Sequence, residues 1–517
     1  MNIKVFAFIV FILLLIFKTI LVFYWVPGYY DTNEDYITHS LGHSINMDIW
    51  IRGGDVRKLS VLNTMHPGFL FQITSWLLYL PNSINSHPYM AAIETIFDPK
   101  LFWIKNQYVS FLINIGFIFY SLKWFKLESK IDFSIYLSLF YLFSKSFNFN
   151  FLHMGNETFA IPLFITLFVI FSKYIETKKN YYLFLLGIIY SILYLNKINY
   201  IGYFPVIYFI FFLYFIKYLS NYSFKIFIFN SFFIIFIFTL STFIFSKILI
   251  GQSGINSMLE SHSNVIFNSG PYGSGEKGFY DFNRMGNSLL SFLKVEWKFN
   301  VILLPILSLN IYFIIKTYIS KKIILYKNIF VVSSFLSILI VVMKQYSPHY
   351  ILPAIITLPI MYILIRDKLN DKIKYTILIY NIVVIIFSLY SILTFETNFY
   401  FQSSISSKND IQDYNSELES VRAIPLSENG YRSWGYRIKS REYGRRFAIT
   451  WSDNWQLHKL LDIDFYKDQI DIDLEKSKPE LLIYQKSYEQ LFDKKWIKLY
   501  EKVYIGNHLI VYKLKTI

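Results

Sequence analysis

Repeated apolar runs, each close to the length of a membrane-spanning helix, restrict this chain's fold more than any other feature. A hydrocarbon core of about 30 Å is crossed by about 20 helical residues at 1.5 Å each. By that ruler eleven spans are expected, near 3–26, 105–122, 131–149, 157–173, 181–196, 198–216, 226–250, 300–316, 328–343, 349–365 and 375–395. The first has no small-residue cleavage site, runs too long for a signal peptide and is followed by further spans, so it reads as an anchor. Composition agrees, with 54% hydrophobic and only 16% charged residues, whereas about a quarter of a soluble globular chain is charged. No soluble core of ordinary size hides 53 Phe and 43 Tyr besides such runs. Soluble, fibrous and disordered classes are excluded.

The net charge is +15, and its placement matters more than its size. Lys123, Lys126 and Lys130 follow the second expected span; Lys173, Lys178 and Lys179 follow the fourth. Lys217 and Lys225, then Lys316, Lys321, Lys322 and Lys327, then Arg366, Lys368, Lys372 and Lys374 complete five basic loops. All five fall on one side if the amino terminus is cytoplasmic, which is the positive-inside pattern. The carboxyl terminus then lies outside. The expected architecture is an all-α polytopic membrane protein of about eleven transmembrane helices, with a small C-terminal extracytoplasmic α/β domain. Residues 1–395 form the transmembrane domain and 396–517 the outer one. Residues 27–104 are expected as a first outer loop, with an interfacial helix over 67–80, and 251–299 as a mobile outer loop. In the tail, 481–485 and 509–514 read as strands, and 455–461 and 487–493 as helices. The absence of cysteine excludes disulfides, thiolate metal sites and a cysteine nucleophile.

Polar residues at the outer ends are the candidates for chemistry. Asp31, Glu34 and Asp35 directly follow the first span, where carboxylates serve as a general base or hold a divalent cation. A solvated acidic loop is the alternative. Glu157, at the mouth of the fourth span, is a second acidic site, because a carboxylate there is costly unless paired or wet. Asp31, Glu34 and Glu157 are candidate ligands for a divalent cation such as Mg or Mn. Lys197, in 195–199 (LNKIN), and Lys344 sit at outer span ends against the charge bias, where an ammonium neutralises a phosphate. His66 and His349 are candidates for metal or phosphate contact, or polar filler. Lys18 and Lys247 are expected to snorkel. The basic stretch 432–446 reads either as solvated surface or as a contact for headgroups and phosphorylated glycans. HExxH, P-loop, GxSxG and CxxC motifs are absent.

Taken together, Glu34-Asp35-Tyr36, His66-Pro67-Gly68, the acid-to-lysine block 157–197 and the segment 349–353 (HYILP) resemble the polytopic C-type glycosyltransferases. Protein O-mannosyltransferases and lipid A aminoarabinose transferases are members. The order of the first acidic pair is inverted here, the second proline of His-Pro-Pro is glycine, and histidine replaces arginine before Tyr350. The resemblance implies a polyprenyl-phosphate-linked sugar as donor and an extracytoplasmic glycan, lipid or protein as acceptor. It implies Glu34 or Asp35, with Asp31 nearby, as the acid that takes the acceptor proton. Lys197, Lys344, His349 and His66 would meet the donor phosphate. It places the protein in the plasma or inner membrane, in contact with membrane lipids and not with nucleic acid.

Two other classes compete. A polysaccharide polymerase or ligase of the O-antigen type needs arginine-rich outer loops, whereas 251–299 holds Arg284 alone. A flippase for lipid-linked sugars is expected to show broken helices, repeated halves and midplane charge. No repeat is visible in the sequence.

Overall fold

The computed structural model describes residues 2–29, 43–53, 68–88, 91, 95, 100–143, 156–217, 224–268, 277–278, 281–321, 324–344, 350–396, 423–426, 481–485, 499–505 and 509–515. In chain order the helices are α1 (Ile3–Tyr29), α2 (His43–Gly53), α3 (Phe69–Ser83), α4 (Lys100–Phe125), α5 (Lys130–Tyr141), α6 (Ala160–Thr177) and α7 (Asn180–Asn196). They continue with α8 (Phe204–Lys217), α9 (Phe224–Phe267), α10 (Phe282–Val295), α11 (Trp297–Lys321), α12 (Tyr326–Met343), α13 (Leu352–Ile355), α14 (Leu358–Ile365) and α15 (Asp371–Glu396). Short 3₁₀ turns at Asn156–Phe159, Ile198–Tyr203 and Arg366–Lys368 link some of them.

Among the described residues, eight helices are long and apolar enough to cross a membrane: Ile3–Val22, Leu101–Phe125, Glu157–Thr177, Ile198–Ile216, Phe224–Ile248, Trp297–Ser320, Tyr326–Met343 and Asp371–Tyr390. The chain is a helical, multi-pass membrane protein. Its outward surface explains why: Phe236 and Ile386 are about three-fifths exposed, as are many neighbours on α9 and α15. Water around such a surface would cost roughly 25 cal/mol for each Å² of apolar area, a penalty that lipid removes.

The three other segments expected to span behave differently. Helix α5 has twelve described residues, nine of them buried. Helix α7 is apolar but has only 17 residues. The segment 349–365 is broken into α13 and α14, each with a proline in its first turn, Pro353 and Pro359. Thr357 between them turns its hydroxyl onto the carbonyl of Ala354 at 2.6 Å. Proline removes a backbone donor, so the freed groups must be satisfied locally.

The chain parts into two compact units, Met1–Phe17 with Leu62–Phe71 and Tyr108–Leu389, and Lys18–Val61 with Gln72–Gln107 and Tyr390–Ile517. In the first, α7 and α9 pack closely because position 187 is glycine. A Cβ there would stand 2.6 Å from Cβ of Ile237, inside any allowed contact. Helix α9 continues past its apolar span to Phe267, so 251–267 is helical, and α10 occupies a further part of the segment expected as a loop. The ends carrying the basic loops meet each other. Lys327 and Lys173 both bond Glu176, Lys374 pairs with Asp132 at 3.0 Å, and Arg366 donates to the carbonyl of Phe125.

In the second unit, Lys18 is fully buried and donates to Oε1 of Gln107, so it does not snorkel. Lys247, in the first unit, is exposed and lies over the ring of its neighbour Phe243. Also in the second unit, Arg52 on α2 makes two bonds to Asp48 and one to the carbonyl of Ser86. Four strands, β1 (Ala423–Leu426), β2 (Leu481–Gln485), β3 (Tyr500–Ile505) and β4 (Leu509–Leu514), form a sheet of order β1-β2-β4-β3. Strands β2 and β4 fall where the sequence predicts them and pair antiparallel. Pro425 is tolerated because β1 is an edge strand. The expected helices at 455–461 and 487–493 lie outside the described residues, as do 268–278 in large part and 432–446.

Candidate functional site

Helix α7 ends at Asn196, where Lys197 adopts an extended backbone before the 3₁₀ turn Ile198–Tyr203. Pro205, in the first turn of α8, restarts the helix where its missing N–H is harmless. The result is a tight polar turn, Asn196-Lys197-Ile198-Asn199, between two apolar helices. Three separate parts of the sequence are fixed on it.

The first is Glu157, in the 3₁₀ turn that opens α6. Its carboxylate and the Lys197 ammonium form an ion pair, with side chains only 3% and 7% exposed. The second is Gly68, whose N–H donates to the carbonyl of Asn196 at 3.1 Å. Gly68 has a left-handed φ of 50°, which explains glycine at this position. The third is Tyr350. Its ring face lies 4.4 Å from the Lys197 ammonium, and its carbonyl accepts from Nδ2 of Asn199 at 2.8 Å. Tyr203, at the end of the turn, adds a hydroxyl bond to the carbonyl of Pro353.

Lys344, which follows α12, donates to the carbonyls of Val265 and Ile266 at 2.7 Å each and so caps the end of α9. Burial, and then the nearby Arg284 charge, hold its pKa below the usual lysine value. Helices α6 and α12 place these polar groups at the opposite end from Glu176 and Lys327.

Of the residues singled out by sequence, Glu157 and Lys197 are therefore brought together, and Lys344 is engaged with the end of α9. Asp31, Glu34, Asp35, His66 and His349 lie outside the described residues. The neighbours of the two histidines, Gly68 and Tyr350, are both held on the Lys197 turn. Tyr350 and Asn199 were not singled out, although each adjoins a motif residue. For metal binding, the Glu157 carboxylate meets an ammonium where a cation would sit. Among the described residues no three acidic or histidine side chains group as metal ligands.

Chemically, the cluster is a protected cation. An ammonium is held between a carboxylate and an aromatic face, with little water to screen it. Comparison with known proteins adds no relative: no protein-family model, curated protein or solved structure matches the chain.

Proposed function

We propose that the protein is a membrane glycosyltransferase of the C-type kind, moving a sugar from a polyprenyl phosphate to an acceptor outside the cytoplasm. The observation that carries the reading is that Gly68, Tyr350 and Glu157 all meet the turn Asn196-Lys197-Ile198-Asn199. Each of these residues belongs to a segment on which the sequence resemblance rests.

In this reading the full topology has eleven spans, with the basic loops cytoplasmic and 396–517 an outer α/β domain. The helices too short or too broken for a lipid-facing span, α5, α7 and α13–α14, cross inside the bundle. The membrane is the plasma or inner membrane. The acceptor hydroxyl attacks the anomeric carbon, its proton passes to Glu34 or Asp35, and the bond to the phosphate oxygen breaks with its electron pair. The leaving group is an anion from the start, so it needs positive charge rather than a proton. Lys197 supplies that charge, and Glu157 and Tyr350 keep it placed before the donor arrives.

The break between α13 and α14 favours a second reading, a flippase for the same lipid-linked sugar, since transporters bind substrate at discontinuous helices. Reconstituted protein supplied with labelled polyprenyl-phosphate sugar and an acceptor extract separates the two. Consumption of donor with labelling of acceptor supports transfer. Movement of intact donor between leaflets supports the flippase and removes the transferase.

A further inference from the structure

One buried polar group at this end of the helices has a hydrogen-bonding nitrogen that none of the described residues uses. His262 on α9 is 2% exposed. Its Nδ1 lies 2.7 Å from the hydroxyl of Tyr194 on α7, and the two rings meet edge-on at 5.1 Å. Its Nε2 is buried and has no hydrogen-bond partner among the described residues. A phenol O–H is a better donor than the N–H of a neutral imidazole, and an imidazole nitrogen a better acceptor than a phenol oxygen, which favours the O–H donating to Nδ1 with the ring proton on Nε2. Burial supports a neutral ring, pushing the imidazole down to about 4. A buried N–H left without an acceptor is costly and rare, which points to an acceptor supplied by a ligand.

Its surroundings indicate the chemistry of that ligand. Tyr194 stands one helical turn before Lys197 on α7. Lys344 bonds the carbonyls of Val265 and Ile266, one turn beyond His262 on α9. The N–H thus belongs to the same end of the bundle as two ammonium groups, an arrangement that suits an anion with several acceptor oxygens. Among the described residues, the charges on neighbouring elements include Lys247 and Glu260 on α9 itself, Asp281, Arg284 and Lys294 at or on α10, Lys344 after α12, and the Glu157–Lys197 pair.

We infer that His262 donates its Nε2–H to a phosphate oxygen of the lipid-linked donor, with Tyr194 as the positioning residue that fixes the tautomer. The inference rests on the transferase reading and names a further binding residue for its donor. No bond is made or broken by His262.

The test uses the full-length protein in nanodiscs, titrated with a polyprenyl monophosphate and with the uncharged polyprenol, and followed by tryptophan fluorescence. His262→Phe keeps the ring and removes the donor. It is expected to raise Kd for the phosphate by about tenfold, the equivalent of one charge-assisted hydrogen bond. Affinity for polyprenol should stay unchanged, and His262→Gln should recover most of the loss. Tyr194→Phe should shift phosphate affinity in the same direction by a smaller factor. Equal phosphate affinity in His262→Phe and wild type overturns the inference alone. A wild type that does not prefer the phosphate to the alcohol overturns both the inference and the transferase reading. Where the variant does not fold, ¹⁵N-histidine spectra of the wild type decide. The Nε2 resonance should move with the phosphate and not with the alcohol, and an unmoved resonance overturns the inference.

Discussion

Glu157 and Lys197 form a buried ion pair, although one opens helix α6 and the other closes α7. Desolvating two charges is expensive, and removing one partner leaves the other stranded. Glu157→Gln and Lys197→Met should each lower stability by about 3–5 kcal/mol. The double variant, with no charge left to strand, should recover most of that loss. Melting in detergent of all four proteins measures the coupling; additive losses would show that the two groups do not act as a pair.

His262 gives a pH dependence with a definite sign. Its imidazole is held near 4 in the folded protein by burial, against about 6.5 in an unfolded chain. Between those values the unfolded state binds the extra proton, so stability is full above about 6.5 and declines as pH falls towards 4. At about 1.4 kcal/mol per unit the ceiling of the effect is about 3 kcal/mol. His262→Phe should flatten that part of the profile, and an unchanged slope would mean that other groups produce it.

Gly187 sets the approach of α7 to α9. A methyl group there would stand 2.6 Å from Ile237, and overpacking of this kind costs about 1–3 kcal/mol. Gly187→Ala should lower the melting temperature, and Gly187→Leu should lower it further. A neutral Gly187→Ala would show that the helices can part freely.

The protein has no cysteine, so single cysteines report sidedness without background. Lys372→Cys, beside the Asp132–Lys374 pair, should resist an impermeant thiol reagent in intact cells, whereas Asp281→Cys and Ser406→Cys should react. The reverse pattern would invert the topology.

How far the sequence reveals all this depends on the residue. Hydropathy identifies α1, α9, α11 and α15 because lipid-facing helices are apolar on all sides, and α6 and α12 because their runs are as long and apolar although much of each is buried. It does not show that α5 and α14 are packed against protein, because buried and lipid-facing leucines read alike. The break after Ile355 was visible as Pro353 and Pro359 in one short run. Glu157 and Lys197 were legible as costly charges at span ends, but nothing local says that they pair. His262 was hidden by the Gly- and Ser-rich run that follows it. The signal was the spacing of Ile255, Met258 and His262, which places all three on one buried helical face. The strands β2 and β4 were legible from short β-branched and aromatic runs.

The decisive comparison is single-turnover transfer from labelled polyprenyl-phosphate sugar by wild type and by the Glu157→Gln, Lys197→Met double variant, used once its melting shows the recovered stability expected above. The wild type should transfer the sugar and the double variant should lose at least about a hundredfold, the scale expected for removing a preorganised charge at a developing anion. Equal rates in the two proteins would contradict the role given to Lys197.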